Sequence, residues 1–302
     1  MRSAVVGIGS NSVRALLAEN GGNGSMACLW RDREGTRLFA GLDGEKRLSP
    51  ESIRKTAEAV GRMAGEARDR GAGHVSVFAT SAARDAANGQ DFLEAITRAA
   101  GVKPQILSGE EEATMSFYGA SRAISTAGRC GVIDIGGGST EIVTGKGLDV
   151  DCAFSCQMGA VRLFQAIQLQ RQEDMVIAEK AATEILRETM EKVNTYRAPE
   201  VWVGTGGTFT TLAAMVRKIP WTDRSCMHGT KIAEREIRAI GAELADMSVE
   251  DRKKLPGLQP GRADIVVHGI CILLAVMREL GIEQLTVSEW GNLDGYLYRE
   301  LC

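Results

Sequence analysis

The amino-acid sequence predicts an α/β protein made of two similar halves. Segments with strand-like and helix-like spacing of apolar residues alternate along the 302 residues, a length that suits two domains. A strand, a glycine-rich turn and a second strand open the chain at "VVGIGSNSVR" (5–14), and the same element returns at "GVIDIGGGSTEIV" (131–143). The repeat predicts one domain over 1–123 and another over 124–302, with a cleft between them.

The first half is expected to begin with strands and to continue as alternating helices and strands. Ser49 is a suitable N-cap and Pro50 a suitable first residue, so a helix should start there and end near Gly71. The segments that follow are read as a strand, a helix, a short strand and a helix: "HVSVFA" (74–79), "DFLEAITRAA" (91–100), "PQIL" (104–107) and "SGEEEATMSFYGASRA" (108–123).

The second half restarts the pattern after a boundary near residues 120–129. A long helix over 173–196 should follow the strand–turn–strand element. The remaining segments are read as a strand–turn–helix unit, a helix, a strand and a closing helix that packs on one of the two domains: 201–215, 262–280, 284–288 and about 291–302.

Composition excludes several classes of protein. Charged residues make up 25% of the chain but the net charge is only −3, so a binding site for nucleic acid or an anionic membrane would have to be local, and neither partner is expected. The longest apolar run, 265–277, contains His268 and Gly269 and is too short to span a bilayer. The first residues lack the pattern of a signal peptide, which leads us to expect a cytoplasmic protein.

The seven cysteines are scattered and form no CxxC motif: Cys28, Cys130, Cys152, Cys156, Cys226, Cys271 and Cys302. With only three histidines, also dispersed, no zinc site is expected. A redox or metal role for Cys152 and Cys156 stays open, but free buried thiols are the preferred interpretation.

The glycine-rich turn at 134–141 has the chemistry of a phosphate loop. The backbone N–H groups of Gly136, Gly137 and Gly138 can converge on an anion, and the hydroxyls of Ser139 and Thr140 add donors. Dinucleotide binding is excluded, because that fingerprint opens a helix and this turn continues as a strand. The alternative is a tight hairpin whose glycines serve only the turn.

Two carboxylates flank this turn, and a third glycine-rich loop lies further along the chain. Asp134 and Glu141 would repel phosphate directly, but they suit a divalent cation placed between them and a phosphate. At 204–211, "GTGGTFTT" leads into a helix N-terminus, with Gly206, Gly207 and Thr208 as candidate phosphate contacts.

Together these residues resemble the Ppx/GppA phosphatase family of exopolyphosphatases and guanosine pentaphosphate phosphohydrolases. Seven segments match the family's motifs in order: "GIGSNSVR" (7–14), "FATSAARDAANGQDFL" (78–93), "ILSGEEEA" (106–113), "DIGGGSTE" (134–141), "MGAVRL" (158–163), "GTGGTFTTLAA" (204–214) and "PGRADIVVHG" (260–269). The resemblance implies the duplicated two-domain fold of actin, Hsp70, acetate kinase and the sugar kinases, with an interdomain cleft. It also implies a short form of the family, without the C-terminal helical region of longer members.

The family match places the catalytic base at Glu112, which would activate a water molecule. The alternative is an acid favoured at a helix N-terminus, which suits Glu110 and Glu111 well. Glu141 is expected to hold metal or position water, and Asp134 is the other metal carboxylate.

The same match implies a set of phosphate contacts. Arg84 should bind the phosphate chain through its guanidinium group, although an exposed surface role is the alternative. Arg262 is similar, unless pairing with Asp264 is its whole role. Ser10, Asn11 and Ser12 are candidate donors from the first loop, whereas Arg14 is interpreted as a solvated surface residue.

Two positions depart from the family pattern. Gly7 stands where the first loop usually begins with Asp, and Leu293 stands where the C-terminal motif usually has arginine. The missing carboxylate should weaken metal binding, so we expect Gly7→Asp to lower the requirement for Mg²⁺, with the electrostatic gain exceeding the steric cost.

The sequence therefore predicts a cytoplasmic phosphoanhydride hydrolase, expected to be a homodimer, that uses Mg²⁺ or Mn²⁺. Its substrate would be inorganic polyphosphate, guanosine pentaphosphate or both, and orthophosphate would be released. Two alternatives stay open: a phosphotransferase of the same fold, which would need an acceptor, and a non-catalytic sensor of polyphosphate or an alarmone, which would bind without turnover.

Overall fold

A computed structural model of the chain describes residues 1–22, 25–124, 128–193 and 196–301. The chain forms two compact units, Met1–Gly119 together with Asn292–Cys302, and Ala120–Gly291. Residues 125–127 of the predicted boundary lie outside the described residues. The predicted cleft stays a prediction.

The first unit contains a five-stranded sheet. In chain order its strands are β1 (Arg2–Ile8), β2 (Val13–Gly22), β3 (Ser25–Glu34), β4 (His74–Ala79) and β5 (Gln105–Ile106). Their order in space is β3–β2–β1–β4–β5. The first three strands run antiparallel, and β4 and β5 continue the sheet in parallel with β1.

Four helices of the first half pack with this sheet: α1 (Pro50–Asp69), α2 (Ser81–Asp85), α3 (Gly89–Ala100) and α4 (Gly109–Ile124). The predicted cap of α1 is confirmed, because the Ser49 hydroxyl accepts a hydrogen bond from the Ser52 N–H at 3.1 Å and Pro50 is the first helical residue. The short helix α2 was not predicted.

The second unit contains a six-stranded sheet. Its strands are β6 (Cys130–Ile135), β7 (Thr140–Lys146), β8 (Asp149–Cys156), β9 (Val201–Thr205), β10 (Lys231–Ala233) and β11 (Gln284–Val287). Their order in space is β10–β11–β9–β6–β7–β8. Strands β6, β7 and β8 form an antiparallel meander, while β9 and β11 extend the sheet in parallel with β6.

Six helices accompany this sheet: α5 (Ala160–Ala166), α6 (Met175–Met190), α7 (Gly207–Arg217), α8 (Glu234–Ala245), α9 (Val249–Arg252) and α10 (Val266–Leu280). Helix α10 is apolar on nearly every side and is buried along most of its length, as expected for a central core helix. The predicted long helix ends at Met190, and residues 194 and 195 of the prediction lie outside the described residues. Strand β10 and helices α5, α8 and α9 were not predicted.

A closing helix, α11 (Asn292–Leu301), belongs to the first unit. Its apolar face, including Leu293 and Leu297, joins a buried cluster with Phe78 of β4. Within the described residues, no helix has the length and hydropathy needed to cross a membrane.

The two sheets repeat the same local plan. In each sheet, one backbone hydrogen bond closes the glycine loop of an antiparallel hairpin. In the first unit the Gly9 N–H donates to the Ser12 carbonyl at 3.0 Å, and in the second the Gly136 N–H donates to the Ser139 carbonyl at 2.9 Å. A third strand, β3 or β8, extends each hairpin in the antiparallel sense, and the strand after it, β4 or β9, pairs in parallel with the first strand of the hairpin. The predicted α/β duplication is therefore confirmed.

The described cysteines are free thiols. Cys130, Cys152, Cys156 and Cys271 are buried as expected, and burial raises the pKa of Cys156 to about 12, which suits an inert core thiol. Cys28 and Cys226 are exposed, so the prediction of buried thiols is wrong for these two, and Cys302 lies outside the described residues.

Candidate active site

The first glycine loop is held by backbone hydrogen bonds from one side. The Ser10 carbonyl accepts from the Phe39 N–H at 2.9 Å, and the Asn11 carbonyl accepts from the Arg37 N–H at 3.0 Å. Because a peptide group is planar and trans, the N–H groups of Asn11 and Ser12 point away from those donors. Ser10, Asn11 and Ser12 are all buried, as candidate phosphate contacts in a closed site would be.

Asn11 also carries an unsatisfied acceptor. Its side-chain oxygen is buried and has no hydrogen-bond partner among the described residues. A buried carbonyl oxygen without a partner costs about 1–3 kcal/mol, which a ligand or a water molecule would recover. This atom is a candidate ligand contact.

Helix α2 links the first loop to the predicted catalytic acid. The Ser81 hydroxyl, at the start of α2, lies 2.8 Å from the Ser10 hydroxyl. Arg84, in the last turn of α2, donates to the Leu107 carbonyl at 2.7 Å and forms an ion pair of 3.4 Å with the Glu112 carboxylate. The first unit thus places Ser10, Arg84 and Glu112 along one connected set of contacts.

The three consecutive acids at the start of α4 have different environments. Glu110 is exposed. Glu111 caps the helix, since its carboxylate accepts from the Ser108 N–H at 2.7 Å while its own N–H donates to the Ser108 hydroxyl at 3.1 Å. Glu112 is only 7% exposed and faces Arg84. The role of a helix N-terminal acid therefore falls to Glu110 and Glu111, and Glu112 needs another explanation.

In the second unit, a row of polar side chains crosses four neighbouring strands. Ser155, Glu141, Asp134 and Thr205 are partners in register on β8, β7, β6 and β9. Directly opposed residues on antiparallel strands share a face, with Cβ atoms about 4.5–5.5 Å apart. Asp134 and Glu141 are 7% and 1% exposed, so two buried acids lie side by side, and the Ser155 hydroxyl donates to Glu141 at 2.7 Å.

This pair of acids fits a divalent cation. Two buried carboxylates on neighbouring strands repel each other, and a hard cation that prefers oxygen ligands would offset that repulsion. In the described part of the chain, no three His, Cys, Asp or Glu residues come together as a ligand cluster. Asp134 and Glu141 remain the predicted metal carboxylates, and other oxygens would have to complete the coordination of a metal held there.

The second glycine loop is held from one side by α5. The N–H groups of Ala160 and Val161 donate to the carbonyls of Gly136 and Gly137, both at 2.9 Å. The N–H groups of Gly137 and Gly138 consequently point away from α5, which forms a concave set of donors. Ser139 is almost fully buried beside them.

Thr140 does not contribute its hydroxyl to this loop. The side chain is fully buried, and its hydroxyl donates to the Met158 carbonyl at 2.7 Å. The prediction that this hydroxyl binds phosphate is wrong, because the fold already uses its proton.

The third loop packs directly against Asp134 and Arg262. Gly206 has φ +90°, and a Cβ atom there would lie 2.5 Å from Asp134 Oδ1. At Gly207 a side chain would overlap the guanidinium group of Arg262, which therefore lies at the N-terminus of α7. The guanidinium group and the N-terminus of α7 both attract negative charge, so an anion bound there would meet both.

Thr208 is turned away from this loop. A Cβ atom at Gly269 of α10 would lie 2.6 Å from Thr208 Oγ1, so the hydroxyl side of Thr208 packs against α10. Thr208 is buried and its side chain packs against α10, so its predicted contact with phosphate would be made by its backbone N–H in the first turn of α7 and stays a prediction.

The two departures from the family pattern lie in contact with each other. A Cβ atom at Gly7 would lie 2.9 Å from Phe78 Cζ and 3.0 Å from Leu293 Cδ1. The ring of Phe78 stacks on Tyr296 with centroids 5.1 Å apart, which restricts its movement. The space for a carboxylate at residue 7 is thus filled, and the expected benefit of Gly7→Asp is corrected on this steric ground.

Arg14 is the first-unit counterpart of Glu141, since it pairs with Gly7 as Glu141 pairs with Asp134. It is half-buried and donates to the Asn292 side chain at 3.0 Å. The interpretation of Arg14 as a merely solvated residue is therefore wrong.

The sequence profile of the Ppx/GppA phosphatase family matches residues 18–302. The chain belongs to this family. Exopolyphosphatase 2 of Mycobacterium tuberculosis is 33% identical over 311 aligned positions, with 97% of each chain covered. A solved Ppx/GppA enzyme of Aquifex aeolicus is 27% identical over 99% of each chain, with a TM-score of 0.83. A solved exopolyphosphatase-like protein is 27% identical over the full length of both chains, with a TM-score of 0.89.

The Ppx/GppA fold also reveals site residues that sequence reasoning did not single out. Ser155 donates to the Glu141 carboxylate, and Arg162 donates to the Gly138 carbonyl of the second glycine loop. Arg162 stands within the matched segment "MGAVRL", which marked the region without indicating its role. Ser155 could have been found from the alternation of β8, which places it opposite Glu141.

Proposed function

We propose that this Ppx/GppA protein is an exopolyphosphatase that hydrolyses the terminal phosphoanhydride bond of inorganic polyphosphate and releases orthophosphate. The observation that carries the proposal is Glu112, the one buried acid of three neighbours, held by Arg84 of α2. The full-length similarity to an exopolyphosphatase supports the same substrate class.

In the proposed reaction, Glu112 takes a proton from a water molecule whose oxygen bonds to the terminal phosphorus. The bond from that phosphorus to the bridging oxygen breaks, and the shortened chain leaves with the electron pair. A base at this position contributes about 10²–10⁴-fold to the rate. Arg84 orients the carboxylate by its ion pair of 3.4 Å.

The glycine loops would bind the phosphate oxygens through backbone N–H groups, and Arg262 would add a positive charge beside Gly207. Mg²⁺ or Mn²⁺, held by Asp134 and Glu141, would neutralise negative charge on the phosphates when bound. Preorganised donors of this kind supply most of the acceleration in phosphoryl transfer.

The test is release of orthophosphate from long-chain polyphosphate by the purified protein with Mg²⁺ and no acceptor. We expect steady turnover under these conditions. Turnover only after addition of a nucleoside diphosphate or a sugar would indicate a phosphotransferase, and binding of polyphosphate without turnover would indicate a sensor. Either result would overturn the proposal.

Three finer predictions accompany this proposal. Guanosine pentaphosphate should be tested as a competing substrate in the same assay, because both substrates present a terminal phosphoanhydride. Homodimer formation is a prediction for sedimentation analysis, and a cytoplasmic location is one for cell fractionation.

A further inference from the structure

The glycine loop at 136–138 depends on outside contacts for its conformation. Three consecutive glycines have the widest choice of backbone dihedral angles, so each peptide group must be fixed by a partner. Helix α5 fixes the first two, since its N–H groups at 160 and 161 donate to Gly136 and Gly137. The N–H of Arg162 also donates to the Gly137 carbonyl, at 3.0 Å.

The third peptide group is fixed by a side chain. Arg162 Nε donates to the Gly138 carbonyl at 2.8 Å, and Arg162 Nη2 donates to the Gln157 side chain at 3.1 Å. A hydrogen bond from a guanidinium group is charge-assisted and is roughly twice as strong as a neutral one. By the planarity of the peptide group, this bond turns the Ser139 N–H to the side away from Arg162.

We propose that Arg162 is a positioning residue that fixes the Gly138–Ser139 peptide group so that the Ser139 N–H faces the substrate phosphate. The inference rests on the proposed function, because it assigns the loop to a phosphate of the substrate. Arg162 acts through the loop backbone, so its geometry matters in addition to its charge.

Lysine separates geometry from charge. Arg162→Lys keeps the positive charge, but its single amine cannot donate to Gly138 and Gln157 with the fixed fork of a guanidinium group. Removing an outer partner that orients a metal ligand typically costs about 10–100-fold in activity, and we take the same range for a residue that orients a binding loop. We therefore expect Arg162→Lys and Arg162→Gln both to lower kcat/KM for polyphosphate by about 10–100-fold.

Two controls separate this effect from a loss of folding. Arg187→Lys changes an arginine of the same unit that pairs with Glu279 at 2.6 Å on the surface, and we expect it to match the wild type. Thermal unfolding should give similar midpoints for all variants. If the Arg162 variants unfold early, Gln157→Ala gives a second test, because it leaves Arg162 in place but removes one of its acceptors.

Hydrogen exchange over residues 136–139 gives a readout that does not need activity. The Gly136 N–H donates to the Ser139 carbonyl across the loop, so its rate of exchange reports how firmly the loop is held. We expect the Gly136 N–H to exchange at least about threefold faster in Arg162→Lys than in the wild type. Absence of phosphatase activity in the wild type would refute the proposed function. The exchange rates of the wild type and Arg162→Lys would still decide whether Arg162 holds the loop. Wild-type exchange in Arg162→Lys, or wild-type kcat/KM in both Arg162 variants, would overturn the inference.

Discussion

Gly7 offers a direct test of how the first unit is packed. Replacement by alanine adds one Cβ atom, which would lie 2.9 Å from Phe78 Cζ and 3.0 Å from Leu293 Cδ1. Both neighbours are buried, and Phe78 also stacks on Tyr296, so neither side chain can move into solvent to make room. Overpacking of this kind costs about 1–3 kcal/mol, which we expect for Gly7→Ala.

Gly7→Asp should cost more than Gly7→Ala. The aspartate must also bring a carboxylate next to apolar side chains, although Arg14 lies opposite in register and offsets part of the charge. We expect a loss of about 2–4 kcal/mol in the free energy of unfolding. The requirement for Mg²⁺ should not fall, because the volume that a metal-binding carboxylate would need is occupied by the Phe78 ring.

The assay is urea unfolding of wild type, Gly7→Ala and Gly7→Asp. Gly35→Asp is the matched control, since a Cβ atom at Gly35 meets nothing within 4 Å, and its effect should stay within about 0.5 kcal/mol. Phe78→Leu combined with Gly7→Asp should lose less than the sum of the two single changes, because it removes the atoms nearest the new Cβ. Wild-type stability in Gly7→Asp, or half-saturation at lower Mg²⁺, would refute this account of the packing.

Two further predictions concern the second unit. Glu179 is buried and forms ion pairs with Arg238 at 3.2 Å and with Arg278 at 2.5 Å. We therefore expect Glu179→Gln to lower the free energy of unfolding by about 2–4 kcal/mol. The control is Glu94→Gln at an exposed ion pair, which should change the free energy of unfolding by less than about 0.5 kcal/mol. Equal losses of stability for Glu179→Gln and Glu94→Gln in urea unfolding would contradict a stabilising role for the buried ion pairs of Glu179. Burial lowers the pKa of His268 below its ordinary value, because the folded protein disfavours the charged ring. The contribution of the neutral His268 ring to the free energy of unfolding is therefore fully present above about pH 6.5 and is lost as the pH falls further. The urea midpoint of the wild type should therefore drop between pH 7 and pH 5 more than that of His268→Gln, and parallel profiles would show that His268 is not responsible.

Local signals in the sequence predicted the elements that depend on local chemistry. Ser49 and Pro50 mark the start of α1 because a cap and a fixed φ act within one turn of helix. The glycine turns predicted both hairpins, since only a few backbone conformations reverse a strand so tightly. The acid pair Asp134 and Glu141 followed from the same turn, because alternation along two paired strands sets their common face.

Contacts between distant segments were beyond such reasoning. Gly7, Phe78 and Leu293 meet only in the folded unit, so the steric obstacle to an aspartate at residue 7 could not be derived from the pattern of the first loop. The directions of hydroxyl groups were also hidden, because the fold decides that Thr140 donates to Met158 instead of to a ligand. Local patterns place the backbone of the site, whereas packing decides which side chains reach it.

Glu112 is proposed as the base, and its two acidic neighbours are interpreted as helix-end residues. The measurement is kcat for orthophosphate release from long-chain polyphosphate, with the dissociation constant for polyphosphate measured alongside, for Glu112→Gln and Glu110→Gln. Both changes remove one negative charge and keep the side-chain shape, but Glu112 is buried against Arg84 while Glu110 is exposed. We predict that Glu112→Gln lowers kcat by about 10²–10⁴-fold with a dissociation constant within about threefold of the wild type, and that Glu110→Gln stays within about twofold in kcat. Equal kcat values for the two variants would contradict the assignment of Glu112 as the base.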